Sequence, residues 1–350
     1  MAGPYYADGT LATGNNDGTS WADAWQGEAG FQALLDTIAA GEVGYIRNTF
    51  TLTASLDIDQ HSGADGNPVR IIGCDAAGNQ GGDPAVIDAD NAAANCLNVD
   101  DEDDWWIENV EFKNATGNNV NVSATADVYR WVFLRCHSHD TQAAGGGEGW
   151  GGSNDFSYSQ FILCRANNNA GGGFERIESS MLLGCTANGN GGYGFNLGSR
   201  GSCMACVAHG NELRGFMFSG YGALVAFCVS DGNGMEGVYV SSGTVIVFCC
   251  RLTNNTGEGI KVDTATVVDL YNFFSGNSAP TAGSTVFSND KGGSTQLTSG
   301  TVGYEDLAGD LFNIILGAAG WRTEIDMGGG NYIRSARGLP TAIIPRIEGL

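Results

Sequence analysis

The sequence predicts an all-β fold: a single-stranded, right-handed parallel β-helix solenoid with an N-terminal capping helix and a C-terminal cap. The first observation behind this prediction is a short phrase that returns every 21 or 22 residues through the middle of the chain. A fixed period of this length is typical of a solenoid, in which each repeat forms one coil and stacks on its neighbours. The cysteines that mark the phrase are Cys164, Cys185, Cys206, Cys228 and Cys250.

Two further markers recur in phase with these cysteines. A glycine followed by an apolar residue comes later in each repeat, as in Gly173-Phe174 and Gly194-Phe195. The apolar runs between markers are broken by Gly and Asn before a helical face could develop, so each run is a strand. Asparagine tolerates the left-handed turn conformation and can bond to its copy in the next coil, so its column is expected to form a turn ladder. The column is Asn169, Asn190, Asn211, Asn233, Asn255 and Asn277.

The cysteine column is expected to point into the core. Apolar residues lie two positions before each cysteine, and mostly small ones two positions after, as Ile162 and Ala166 do beside Cys164. Side chains that project in parallel from stacked strands give poor torsions for a disulfide bond. We therefore expect buried, reduced thiols, which fit folding in a reducing cytoplasm.

The order of elements predicts three regions. In residues 27–40, Phe31, Leu34, Leu35 and Ile38 share one helical face, so an N-terminal segment with a capping helix is predicted for residues 1–43. Strands over 43–47, 51–58 and 69–73 then begin the stack. The parallel β-helix is predicted over residues 44–290, with about ten coils at the strand spacing of a parallel sheet. Residues 291–350 are predicted to form the C-terminal cap and tail.

The charge balance limits the partners. The 350 residues carry 39 Asp and Glu against 16 Lys and Arg, a net charge of −23. Such a surface repels nucleic acid and anionic membranes, so neither is an expected partner. The first residues have no basic and apolar segments of a signal peptide, and the chain has no apolar run of membrane-spanning length. We expect synthesis in the cytoplasm without a signal peptide.

Three segments resemble known proteins. Asp17-Gly-Thr-Ser-Trp-Ala-Asp-Ala-Trp and Gly66-Asn-Pro-Val-Arg-Ile-Ile-Gly resemble the opening of pectate-lyase-like right-handed β-helix proteins, and Gly303-Tyr-Glu-Asp-Leu-Ala-Gly-Asp is similar to their closing cap. This superfamily includes polysaccharide lyases, glycoside hydrolases, isomerases and phage tailspikes or fibres. Its lyases use clustered aspartates for calcium beside a Lys or Arg base, and its polygalacturonase-like hydrolases use a paired Asp signature. Neither set is evident in this sequence, so no metal and no cofactor is expected.

One candidate site is the outward face next to the glycine marker. One column holds Tyr193, Arg214, Glu236 and Glu258, and the next holds Glu175, Asn196, Met217, Tyr239 and Lys261. Aromatic, acidic and basic groups within a few coils are what a shallow sugar-binding groove requires. The alternative is an ordinary solvated sheet face.

A second candidate site is an insertion, because the step from Cys136 to Cys164 grows to 28 residues. Insertions in solenoids form loops, often on the binding face. The loop and its flanks offer carboxylates that could act as acid and base, and an aromatic ring that could stack on a sugar. The alternative is a flexible surface loop. The catalytic candidates are His139, Asp140, Glu148 and Asp155, and the glycan-stacking candidate is Trp150, expected to be exposed.

Two classes of function remain open. The first is a virion-type structural or receptor-binding protein that binds a glycan, akin to a phage tailspike or fibre component, with a homotrimer and other virion proteins as expected partners. The second is a polysaccharide lyase or glycoside hydrolase, which would act outside the cell. The missing lyase and hydrolase signatures, the reduced cysteines and the lack of a signal peptide favour the first class. Whether the protein is catalytic stays open.

Overall fold

The computed structural model describes residues 4–123, 126–143, 146–270 and 272–279, and the backbone of four further short strands. The chain divides into two compact units, Met1–Gln296 and Leu297–Leu350. The first unit is a right-handed parallel β-helix. Of the second unit, the structure describes one antiparallel strand pair, so most of the predicted cap over residues 291–350 lies outside the described residues.

The first 24 strands have two to six residues each, and the helix among them has 11 residues. They are β1 (Tyr5–Asp8), β2 (Trp25–Gln26), α1 (Gly27–Thr37), β3 (Val43–Arg47), β4 (Thr49–Thr51), β5 (Leu56–Ile58), β6 (Val69–Cys74), β7 (Ala85–Asp88), β8 (Leu97–Val99), β9 (Trp105–Glu108), β10 (Val110–Lys113), β11 (Val120–Val122), β12 (Val128–Tyr129), β13 (Val132–Leu134), β14 (His137–His139), β15 (Trp150–Gly152), β16 (Phe156–Ser157), β17 (Gln160–Ile162), β18 (Arg165–Asn167), β19 (Phe174–Glu178), β20 (Met181–Leu183), β21 (Thr186–Asn188), β22 (Phe195–Leu197), β23 (Ser202–Met204) and β24 (Val207–His209).

The later coils contain three strands of 11 residues: β25 (Phe216–Ala226), β27 (Val238–Phe248) and β29 (Ile260–Leu270). The remaining elements are β26 (Val229–Asp231), β28 (Arg251–Thr253), β30 (Phe273–Ser275), β31 (Thr281–Gly283), β32 (Val286–Ser288), β33 (Thr323–Ile325) and β34 (Ile333–Ser335).

Each regular coil contributes to three columns of stacked parallel strands. Column 1 follows the glycine marker and includes β11, β15, β19, β22 and the first parts of the three long strands. Column 2 precedes the cysteine column and includes β9, β13, β17, β20 and β23. Columns 1 and 2 belong to one sheet of 22 strands. Column 3 is a separate sheet of ten strands, from β4 to β30.

The N-terminal helix is confirmed and covers the first coil. Phe31, Leu34, Leu35 and Ile38 are all buried, and the ring of Phe31 lies 4.8 Å from that of Phe50. The helix ends at Thr37, earlier than residue 40, because Ile38 already has extended backbone. Before the helix, β1 pairs in parallel with β3, so the parallel sheet extends into the N-terminal segment. No helix in the described part of the chain is long and apolar enough to cross a membrane.

The asparagine column forms a hydrogen-bonded ladder, as predicted. Each side-chain amide donates to the amide oxygen of the asparagine in the next coil, over 2.8 to 3.0 Å from Asn169 to Asn277. The left-handed turn residue is the one before each ladder asparagine, such as Asn168, Gly189 and Gly210, rather than the asparagine itself. The ladder asparagine thus serves as the buried hydrogen-bonding group of the turn, and its neighbour supplies the backbone bend.

The cysteine column is buried, and all ten cysteines in the chain are free thiols. The thiols of Cys164, Cys185 and Cys206 each lie 3.2 to 3.4 Å from a backbone carbonyl oxygen of the preceding coil, in hydrogen-bonding position. The residue before each of these cysteines has positive φ. This bend interrupts the strand alternation, so the fully inward residues lie three positions before each cysteine, as Phe161 and Leu182 do, not two.

Trp150 lies in the core, so the expectation that it is an exposed, sugar-stacking residue is wrong. Gly149-Trp150 is the glycine marker of its coil, and Trp150 pairs in register with Phe174. Its ring stacks on Phe174 at 4.8 Å, and the stack continues to Phe195 at 5.0 Å and Phe216 at 4.9 Å. All four side chains have no solvent exposure. The insertion therefore ends before this residue, and β15 returns the chain to the regular coil.

Candidate functional site

An irregularity in β19 places two charged residues on the outer surface. The register of β19 against β22 shifts between Phe174 and Ile177, and both of these side chains are fully buried. Between them, Glu175 is half-buried and Arg176 is exposed, with a φ of 54° at Arg176. A β-bulge of this kind turns consecutive side chains to the same face and is frequent beside functional sites. Because of the bulge, Glu175 and Arg176 both face outward.

Glu175 shares its surface with Glu148 of the preceding coil, and we name these two residues the glutamate pair. A β-carbon placed on Gly151 would lie 3.0 Å from the β-carbon of Glu175 and 3.1 Å from that of Glu148. A β-carbon placed on Gly172 would lie 1.9 Å from Oε1 of Glu175. The two glycines therefore leave the space that the two glutamate side chains occupy, and a larger residue at either position would displace them.

The glutamate pair has unusual protonation. Burial is the largest cause that raises the pKa of Glu175 to about 8; the charge of Glu148 adds to the rise, while the hydrogen bond from Asn196 and the charge of Arg176 oppose it. Asn196 donates from Nδ2 to Oε2 of Glu175 over 2.7 Å. Burial also raises the pKa of Glu148, while a hydrogen bond from Asn118 and the charge of Arg176 oppose the rise. Glu175 is therefore the member of the pair that holds a proton near neutral pH.

Three further carboxylates lie at the corner that follows column 1, and we name Asp127, Asp155 and Glu178 the acidic corner. The backbone N–H of Asp155 donates to Oδ1 of Asp127 over 3.0 Å. Burial, together with the charges of Asp127 and Glu178, raises the pKa of Asp155 to about 6, and Arg176 partly opposes this rise. Arg176 thus acts electrostatically on both the glutamate pair and the acidic corner.

Two tyrosines next to the acidic corner form an aromatic surface. The rings of Tyr129 and Tyr158 stack with centroids 6.2 Å apart and an interplanar angle of 23°. The side chain of Tyr158 is 56% exposed, which leaves its large, apolar ring open to solvent. Its backbone N–H donates to the carbonyl of Glu178 over 3.1 Å, which fixes it beside the carboxylates. The exposed ring near the acidic groups is therefore Tyr158, in the place that Trp150 was expected to take.

The raised pKa of Glu175 predicts how the stability of the folded state changes with pH. An unfolded glutamate titrates near 4.5, whereas the folded chain holds this proton up to about pH 8. The folded state is therefore the one that binds the extra proton, so this contribution to stability is full below pH 4.5 and is lost as pH rises to about 8. We expect the melting temperature of Glu175→Gln minus that of the wild type to increase between pH 5 and pH 9 in thermal unfolding. A difference that stays constant with pH would contradict this pKa.

The glycan-binding residues predicted on the outward face lie together, but they bind each other. Nε of Arg214 lies 2.6 Å from Oε2 of Glu236, and Nζ of Lys261 lies 3.0 Å from Oε1 of the same carboxylate. The Arg214 guanidinium lies over the ring of Tyr239 at 3.9 Å and is 3.3 Å from the hydroxyl of Tyr193. Burial alone would raise the pKa of Glu236, but the hydrogen bonds from Lys261 and Arg214 outweigh burial and lower this pKa. The cluster is a paired, largely satisfied network.

Glu258 belongs to the edge of this network. It is half-buried, and its negative charge contributes to the raised pKa of Lys261, after the larger effects of the Glu236 hydrogen bond and charge. The hydroxyl of Tyr239 donates to Asp263. The outward face therefore has the composition that the sequence predicted, with fewer free polar groups than an open binding groove would offer.

The insertion candidates do not form one group. His139 ends β14 of column 3 and Asp140 follows it, whereas Glu148 and Asp155 flank β15 of column 1. The His139 ring lies 2.7 Å from Asp140 through Nδ1 and 3.2 Å from Glu111 through Nε2. The structure thus divides the four candidates between two surfaces. Sequence reasoning assigned no role to the residues that complete the site: Asp127, Tyr129, Tyr158, Arg176 and Glu178.

Comparisons with known proteins identify the fold. No protein-family model and no curated protein matches the sequence. The structure is similar to pectate lyase Pel9A, with a TM-score of 0.51 and 16% identity over 82% of this chain and 78% of that chain. It is similar to a rhamnogalacturonan lyase, with a TM-score of 0.52 and 15% identity over 77% and 82% of the two chains. The structure is also similar to the Dettilon tailspike protein, with a TM-score of 0.46 and 12% identity over 81% of this chain and 68% of that chain. The similarities to the two lyase structures confirm, for the fold, the resemblance seen in the sequence.

Proposed function

We propose that the protein binds a neutral glycan on the surface around Arg176 and hydrolyses a glycosidic bond there. One observation carries this proposal. The bulge in β19 turns Glu175 and Arg176 outward together, beside Glu148, at a place where Gly151 leaves room for both glutamate side chains and Gly172 leaves room for the carboxyl group of Glu175. Hydrolysis of a glycoside needs two carboxyl groups of different protonation on one surface, and the glutamate pair meets that requirement.

The charge of the surface favours a neutral glycan over an acidic one. The glutamate pair and the acidic corner bring five carboxyl groups to the surface around the cation of Arg176, and the whole chain carries a net charge of −23. Such a surface repels a polymer of uronic acids. A lyase reaction starts from that kind of substrate, so the arrangement supports hydrolysis more than elimination.

The two glutamates take different roles in this reaction. Glu175, which keeps its proton near neutral pH, donates it to the glycosidic oxygen as the bond from that oxygen to the anomeric carbon breaks. Glu148 accepts a proton from the water molecule whose oxygen bonds to the anomeric carbon. The proton lost by Glu175 and the one gained by Glu148 balance, and exchange with solvent restores both groups.

We propose that Tyr158 stacks on a sugar ring. Substitution of this residue is the first test of the binding surface. Loss of one aromatic contact is worth roughly 0.5 to 1.5 kcal/mol, or about two- to thirteenfold in Kd. A set of neutral and acidic polysaccharides would be screened for binding to the wild type by affinity electrophoresis. We then expect Tyr158→Ala to weaken binding of the neutral ligand found.

The matched control for this test is Tyr221→Ala, because Tyr221 is an exposed tyrosine in β25, at 72%, and lies two coils beyond Glu178. It should bind the glycan as the wild type does. Equal loss in both variants, or preference of the wild type for acidic polymers, would count against the proposed surface.

The second candidate is a receptor-binding protein of the virion type, which binds the glycan without cleaving it and assembles as a homotrimer with other virion proteins. The paired network of Arg214, Glu236 and Lys261 favours this alternative, because a rigid outward face whose charges are already paired suits assembly against another protein surface better than catalysis. Binding without release of reducing ends, together with the mass of a trimer in solution, would support it over hydrolysis.

A further inference from the structure

A separate group of side chains lies on the outer surface of column 3, in β10 and β14. Glu111 of β10 pairs in register with His137 of β14, and His139 is two residues further on the same strand face. One ligand atom from each of these three residues lies within 4.8 Å of the other two. The imidazole rings stack with centroids 4.3 Å apart. We propose that Glu111, His137 and His139 bind one divalent zinc-class ion.

The spacing of the donors fits a tetrahedral ion. Two ligand atoms that each lie about 2.0 to 2.1 Å from a tetrahedral zinc are about 3.3 Å apart. Nε2 of His139 and Oε1 of Glu111 are 3.2 Å apart, so these atoms need little movement to share the ion. Two imidazoles and one carboxylate are a ligand set that zinc uses with a fourth, open position. Water would complete the coordination.

The surroundings of His139 orient it as a ligand. Its Nδ1 lies 2.7 Å from Oδ2 of Asp140, which leaves Nε2 directed at Glu111. A carboxylate on the far nitrogen of a histidine is the usual way in which proteins fix the tautomer and ring orientation of a metal ligand. On the other side, Nδ2 of Asn167 lies 3.2 Å from Nε2 of His137. Both rings are thus held in place by residues outside the ligand set.

The neighbouring charges permit a divalent cation. Lys113 lies 3.6 Å from Oε1 of Glu111, but it also lies 3.5 Å from Asp88, so it can keep an ion-pair partner when the metal takes Glu111. Arg165 pairs in register with His137 on the next strand, β18. Its side chain is exposed, so its charge can turn away from the metal site toward solvent. With Glu111, Asp88 and Asp140 together, the carboxylates outnumber these two cations, and the site stays favourable to positive charge.

The test uses zinc itself as the probe. The full chain, produced without a polyhistidine tag and treated with chelator, would be titrated with zinc by calorimetry, and its melting temperature would be measured with and without zinc. We expect one ion per chain and a melting temperature that rises with zinc. His139→Ala and Glu111→Gln should each abolish the calorimetric signal, and Asp140→Asn should weaken affinity by about 10- to 100-fold.

The matched control is His209→Ala. His209 lies at the position equivalent to His139 three strands further along column 3 and has its own carboxylate partner, Asp231, at 3.2 Å. It should bind zinc as the wild type does. Should His139→Ala fail to fold, Glu111→Gln, which keeps the side-chain volume, decides the matter. Zinc binding that is absent in the wild type, or unchanged in a folded Glu111→Gln variant, would overturn the proposal.

Discussion

Replacing Asn211 with alanine should lower the free energy of unfolding by about 2 to 4 kcal/mol. The side chain of Asn211 accepts hydrogen bonds from the backbone N–H and the amide of Asn190, at 3.1 and 2.9 Å, and donates to Ala187 and Asn233 at 2.9 Å each. All of these groups are buried, so the variant leaves donors and acceptors without partners in two neighbouring coils. An unsatisfied buried group costs about 1 to 3 kcal/mol. Chemical denaturation would measure the difference.

The control for this prediction is Asn188→Ala in the coil that contains Asn190. The side chain of Asn188 faces outward from column 3, and its amide oxygen accepts no hydrogen bond from the residues that the structure describes. The same chemical change there should alter stability by less than about 1 kcal/mol. If both variants lost stability equally, the ladder would contribute no more than any other asparagine.

Glu175→Gln should reduce the rate of glycan hydrolysis by about 10² to 10⁴, because glutamine has the same size but no proton to transfer. Glu148→Gln should have a loss of similar size, through water activation. A substrate with an activated aryl leaving group needs little protonation, so it should restore much of the rate of Glu175→Gln and little of that of Glu148→Gln. The release of reducing ends and of the aryl group would be measured in parallel.

Glu258→Gln is the control for the two activity variants, since Glu258 lies in the outward column of a later coil, beside Lys261. It should keep the activity of the wild type. Full activity in Glu175→Gln would exclude the assigned acid. A wild type that binds the glycan and releases no product would leave receptor binding as the better account.

The repeating parts of the fold could be predicted because their residues carry the pattern themselves. Cys206 and Asn211 have copies 21 or 22 residues away, and this period predicts that each residue stacks on its copy in the next coil. The division of each coil into three columns was not predicted, because it depends on left-handed bends at residues as different as Leu163, Gly184 and Ala205. Those bends are imposed by stacking on the next coil, and no residue type signals them.

The candidate site was predicted only in part for the same reason. Glu148 and Asp155 were found because the longer step to Cys164 exposed an insertion. Trp150 was misplaced, although Gly149-Trp150 repeats the glycine marker and could have shown that the strand had resumed. The bulge that turns Arg176 outward is a property of β19 packed between neighbours of different register, so the sequence of one coil does not contain it.

The ladders also bear on how the chain finds its alignment while folding. Coils between Cys164 and Cys250 are nearly interchangeable, so a coil displaced by one whole repeat would still place cysteine on cysteine and asparagine on asparagine. Irregular positions remove this ambiguity: Trp150 begins one stack, and Asn272 ends the cysteine column by accepting from the backbone N–H of Cys250 at 2.7 Å. Between these two boundaries, insertion or deletion of one complete repeat would lengthen or shorten the solenoid by one coil. Such a change during evolution would leave the residues at both boundaries in place.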